Sequence, residues 1–170
     1  MILGMTTATY TILHVVISLI GIGSGVVVLW GMIRGKRLEG ITKIVLASTV
    51  LTSVTGFGFP FDHLSPAHKV GILSLVLLAV AILARYPLHL AGPWRWAYVV
   101  CASMALYLNV FVFVIQSFEK SSLLRSMAPT QHEPPFVITQ LAVLLAFVGL
   151  TILAGKKFRL EPLHAPASAA

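Results

Sequence analysis

The stretch TYTILHVVISLIGIGSGVVVLWGMI, Thr9 to Ile33, decides the fold. It contains no Asp, Glu, Lys or Arg. It is longer than the roughly 20 helical residues that cross a hydrocarbon core about 30 Å thick. No basic residue precedes it, and its apolar run exceeds the roughly 7–15 residues of a signal-peptide core. It therefore reads as a retained spanning helix. The rest of the chain agrees in composition. Of 170 residues, 58% are hydrophobic and only 10% charged, where a soluble domain carries about 25% charged residues. The mean hydropathy is +0.95, so the solvent this chain expects is a lipid bilayer.

Four more segments follow the same pattern. They run from about Ile41 to Phe59, from Pro66 to Arg85, from Trp94 to Phe118 and from Pro135 to Ala154. The expected fold is all-α: an integral membrane bundle of five transmembrane helices, forming one domain over residues 1–158. Residues 159–170 read as a small, polar, disordered tail. Ser65 is a good N-cap and Pro66 suits the first helical position, where its missing N–H costs nothing. A short interfacial turn is expected over Ser121 to Met127.

Orientation follows from the basic residues. With the first loop inside, nine of the twelve Lys and Arg residues share one side. They are Arg34, Lys36, Arg37, Lys43, Arg85, Arg95, Lys156, Lys157 and Arg159. This places the N-terminus outside and the C-terminus in the cytoplasm. Trp30, Tyr86, Trp94 and Trp96 then fall at the inner interface and Tyr10 at the outer one, as aromatic belts require. The net charge of +7 does not indicate nucleic acid, because the cations lie in short runs between apolar segments. The one cysteine, Cys101, excludes an internal disulfide.

His14 is the sharpest single residue, because an ionisable group inside a spanning helix is a functional hypothesis by default. Its plainer role is one interhelical hydrogen bond. His14, Ser18, Gly21 and Gly25 fall on one helix face. Gly21 and Gly25 form a GxxxG contact that lets another backbone approach closely. That face is a candidate surface for self-association or for a membrane-complex partner, if the bundle does not use it. Asn109 lies near mid-membrane and needs a partner there.

The hairpin FPFDHLSPAHK, Phe59 to Lys69, adds Asp62, His63 and His68 to the outer side. The fourth-to-fifth loop adds Glu119, His132 and Glu133. No cofactor is the leading expectation. The alternative is haem b held by His14 and His68, or a transition metal held by His63, His132 and Asp62, since imidazole and carboxylate suit such ions. Their spacings match no zinc signature. A third reading is a passage for a small solute or ion, lined by Ser18, Thr52, Asn109 and Gln116. No acid lies within a span, which argues against a carboxylate proton pump. No nucleophile motif, phosphate loop or dinucleotide fingerprint is present, so the leading expectation is a non-enzymatic membrane protein. No internal repeat supports an inverted-repeat transporter.

LTSVTGFGFPF (51–61), ALYLNVFVFVIQSF (105–118) and MAPTQHEPPF (127–136), with HVVISLIGIGSG (14–25), carry a resemblance. Together they resemble a group of small uncharacterised proteobacterial inner-membrane proteins. The resemblance implies a bacterial inner-membrane location. It implies no activity and assigns no functional residue.

Overall fold

The computed structural model describes residues 2, 4–59 and 66–159. Their regular structure is helical: α1 (Thr7–Ile33), α2 (Glu39–Gly56), α3 (Pro66–Arg85), α4 (Trp94–Lys120), α5 (Ser122–Met127) and α6 (Pro134–Lys157). Local chemistry explains the boundaries. The Thr6 hydroxyl caps α1 by accepting from the Thr9 N–H at 3.2 Å. Gly35, at φ +71°, stops the same helix. Its N–H donates to the Met32 carbonyl at 3.0 Å and that of Lys36 to Gly31 at 2.8 Å. This is the left-handed glycine stop that satisfies the last carbonyls of a helix. Glu133 precedes α6, whose first position is a proline.

The five long helices form a closed ring in the order α1, α2, α3, α4, α6, and α6 returns to α1. α4 also reaches across the ring to α1 and α2. α1, α3, α4 and α6 are long and apolar enough to cross a membrane. α2 is shorter and carries Glu39 and Lys43 near its start. Its two ends nevertheless lie beside the two ends of α3. At one end the Glu39 carboxylate meets Arg85 at 2.9 Å. At the other, the Phe57 and His68 ring centres are 5.5 Å apart.

The surface is apolar where a soluble protein would be charged. On α6, Ile138 and Leu145 are 64% and 61% exposed, and on α1 Ile12, Val16 and Ile20 also face outward. Buried polar residues lie inside: Thr42, Thr49, Ser53, Ser103, Asn109 and Gln140. Apolar outside and polar within is the pattern of helices solvated by lipid.

The apolar core sits toward the Arg85 end, around Val28, Leu29, Val45, Leu78, Val99, Ala154 and Phe158. Arg85 is buried there. Besides its ion pair it donates to the Arg37 carbonyl at 3.0 Å and lies over the Tyr98 ring. Arg95 donates to the Gly155 carbonyl at 2.9 Å and to that of Phe158, tying α4 to the end of α6.

Two expectations are corrected here. Tyr10 is not a belt residue: it is buried, and its hydroxyl donates to the Thr55 carbonyl at 2.7 Å. That bond satisfies a carbonyl in the last turn of α2, which is a stronger claim on a phenol than an interface. The GxxxG face is not a free partner surface. Gly21 and Gly25 are buried between α1, α2 and α4. A Cβ on Gly21 would lie 3.2 Å from both Asn109 Nδ2 and Ser48 Oγ. A Cβ on Gly25 would lie 2.5 Å from Leu106 Cδ1. The small residues let α4 cross α1 closely within the bundle.

Candidate functional site

α1, α2, α3 and α4 line a half-open cavity of about 100 Å³ away from the apolar core. α1 contributes His14 and Ser18; α2 contributes Thr49, Thr52, Ser53, Gly56 and Phe57. α3 contributes His68, Gly71 and Ser74, and α4 contributes Leu108, Asn109 and Val112. None of the lining residues is Asp, Glu, Lys or Arg.

The hydrogen bonds around this space form an ordered set. Thr55 Oγ1 donates to the Leu51 carbonyl at 2.7 Å. It also lies 2.8 Å from His14 Nδ1, so His14 and Thr55 share one hydrogen bond between α1 and α2. Phe59 stands edge-on to His14, with ring centres 5.3 Å apart. The Ser18 hydroxyl donates to Asn109 Oδ1 at 2.8 Å. Ser48 and Ser53 donate back to carbonyls of their own helix, at 2.6 and 2.9 Å.

Three buried groups of the lining have no partner: Thr49 Oγ1, Thr52 Oγ1 and Asn109 Nδ2. A buried, unmade hydrogen bond costs about 1–3 kcal/mol. A polar occupant of this space would satisfy all three. A single water needs roughly 10–15 Å³, so about 100 Å³ accepts several waters or one small solute.

The expected site residues divide clearly. His14, His68, Ser18, Thr52 and Asn109 come together on this cavity. Gln116 does not: it is exposed on α4, two turns beyond Asn109, and is no part of the lining. His132 is exposed in the α5–α6 connection, and its N–H donates to Glu133 Oε2 at 3.1 Å. Partial desolvation raises the Glu133 carboxyl, but hydrogen bonds from the Thr130 hydroxyl and neighbouring N–H groups outweigh it and hold the group below its ordinary value. Asp62 and His63 lie outside the described residues. Among the described residues, no three His, Cys, Asp or Glu side chains gather closely enough to hold a metal.

The cavity does not fit a porphyrin. Pockets for drug-sized ligands run about 300–1,000 Å³, and this one is about 100 Å³. Phe57 and Phe59 also stand against the two histidine rings.

Sequence reasoning missed Thr49, Ser53 and Ser74. Thr52 marked one polar position on α2, but its neighbours could not be ranked without knowing which arc of α2 faces α4.

No protein-family model matches this chain, and no curated protein or solved structure matches it.

Proposed function

We propose that this chain is a non-catalytic inner-membrane protein of five spans that takes small, neutral, hydrogen-bonding solutes into its polar cavity and lets them pass. α2 is the fifth span. Support comes from its ends, which lie level with those of α3 at Glu39–Arg85 and at Phe57–His68. The outside N-terminus and cytoplasmic C-terminus rest on the nine basic residues that share one side. The bacterial inner membrane rests on the same bias and on the resemblance carried by LTSVTGFGFPF and MAPTQHEPPF.

The observation that carries the solute reading is the trio Thr49 Oγ1, Thr52 Oγ1 and Asn109 Nδ2, unpartnered around a cavity with no charged residue. Hydroxyls and an amide can replace the hydration of a neutral solute, whereas an ion in low dielectric needs a counter-charge. Stopped-flow light scattering of proteoliposomes under formamide and urea gradients tests this. Uptake faster than in empty liposomes, lost on changing Asn109→Leu, is the expected result. Wild-type rates equal to those of empty liposomes would overturn it.

A further inference from the structure

The cations at the Arg85 end are of two kinds. Arg85 and Arg95 are turned into the protein: Arg85 onto Glu39 and the Arg37 carbonyl, Arg95 onto the carbonyls that end α6. Lys43 belongs to α2. The rest gather on two segments. Arg34, Lys36 and Arg37 lie in the turn between α1 and α2, and Lys156, Lys157 and Arg159 lie at the end of α6 and just past it. The two segments touch: a Cβ on Gly35 would lie 3.7 Å from the Lys157 carbonyl oxygen. α1 and α6 are also neighbours in the ring, so these side chains crown one seam.

All of them are exposed. Among the described residues the carboxylate at this end is that of Glu39, and Arg85 holds it. The charges of the seam therefore have no counter-charge among the described residues. Salt screens their mutual repulsion only in part at such short range. One turn nearer the bilayer centre the surface becomes apolar. Trp30 is 53% exposed, and the Arg34 guanidinium lies over its ring at 5.0 Å. Ile152 and Leu153, just before Lys156, are exposed as well. A ledge of cations with an indole at its edge and apolar helix faces beside it is complementary to a phospholipid: phosphate on the ledge, acyl chains along the helices.

We infer that the α1–α6 seam binds an anionic phospholipid, and that its preferred head group carries two phosphates. Each of the two segments supplies enough cations for one phosphate, and the arginines can grip it through two parallel N–H···O bonds. A free phosphate would meet the same charges but leave Trp30, Ile152 and Leu153 uncovered, so a lipid is the occupant. The site lies away from the polar cavity and does not depend on the solute reading.

The test uses the full chain in mild detergent with added cardiolipin, which carries two phosphates, phosphatidylglycerol, which carries one, or phosphatidylcholine, which has no net charge. Native mass spectrometry counts bound lipid, and tryptophan fluorescence follows the melt. Two triple variants are compared: Lys36→Gln with Lys156→Gln and Lys157→Gln at the seam, and Lys69→Gln with Lys120→Gln and Arg125→Gln at the far end. Both remove the same charge, and both leave the basic excess on the same side, so orientation is kept. All the substituted residues are exposed, so without lipid both variants should melt close to wild type. The expected result is one cardiolipin per chain and a raised midpoint, with phosphatidylglycerol weaker and phosphatidylcholine without effect. The seam variant should bind cardiolipin about tenfold more weakly or worse, since each cation removed weakens such contacts severalfold. The far-end variant should bind as wild type does. Equal losses in the two variants would show attraction by net charge alone and overturn the site. So would a seam variant that binds as wild type, or a wild type that retains no cardiolipin. Phosphatidylglycerol binding as tightly as cardiolipin would overturn the preference for two phosphates. A midpoint raised equally by inorganic pyrophosphate would show a site for free phosphate and overturn the lipid.

Discussion

The two ends of the bundle differ in how much space surrounds their buried polar groups. At the Arg85 end, a charge is buried and met from several sides: by Glu39, by the Arg37 carbonyl and by the Tyr98 ring. Around it the apolar residues are closed, with Val99, Ala154 and Phe158 fully buried. In the other half the polar groups are imidazoles, hydroxyls and one amide, and Thr49 Oγ1, Thr52 Oγ1 and Asn109 Nδ2 are unmet around open space, whereas Thr42 Oγ1, Ser103 Oγ and Arg85 Nε are unmet within close packing. A membrane interior punishes unmet polar groups more than water does. The difference is therefore one of packing: the closed end leaves its unmet groups a gap of about 10 Å³, and the other end leaves about 100 Å³.

That contrast can be broken from either side. The largest effect is expected for Phe158→Ala. Phe158 packs on Tyr98 and its carbonyl accepts from Arg95. Removing a buried phenylalanine typically costs about 3–5 kcal/mol, so thermal unfolding in detergent, followed by tryptophan fluorescence, should show a clear fall in midpoint. An unchanged midpoint would mean the closed end is no tighter than the open one. Glu39→Gln comes next. It leaves the Arg85 guanidinium buried with a neutral partner, and the loss should be about 1–3 kcal/mol, read in the same melt. The smallest effect is expected in the cavity. Ser18→Ala with Asn109→Leu removes a hydrogen-bonded pair together with the unmet amide. Replacing both partners by apolar groups is often neutral or stabilising, so the midpoint should stay or rise. A large fall would show that this half also works as a structural core.

The helices were largely legible in the sequence, for physical reasons. The third segment was expected to begin at Pro66 and end at Arg85, and α3 does, because proline and a terminal cation mark both ends. The turn expected over Ser121 to Met127 is α5, Ser122–Met127. The others shift by one to three residues, α2 and α6 at both ends: α4 runs on to Lys120 and α6 to Lys157. Lysine stems can extend a helix past the apolar edge while the charge stays in water, so hydropathy alone stops too soon.

The candidate site was legible only in part. His14, Ser18 and Asn109 stood out because each is a polar residue in an apolar run. Gln116 stood out for the same reason and keeps to the Asn109 arc, but it lies two turns further along α4, beyond the cavity, where it is exposed. The fate of Gly21 and Gly25 could not be read either. A GxxxG face looks the same whether its partner is another chain or, as here, α2 and α4 of its own.

The bond between Ser18 and Asn109 also bears on how the chain is made. Tyr10 and His14 reach Thr55 across sequence gaps of 45 and 41 residues, so α1 and α2 can lock as a hairpin early in synthesis. Ser18 must wait for a residue 91 positions later. Until α4 emerges, the hydroxyls of Ser18, Thr49 and Thr52 have no amide to face. The Ser18 hydroxyl thus gains its side-chain partner only once α4 has been made.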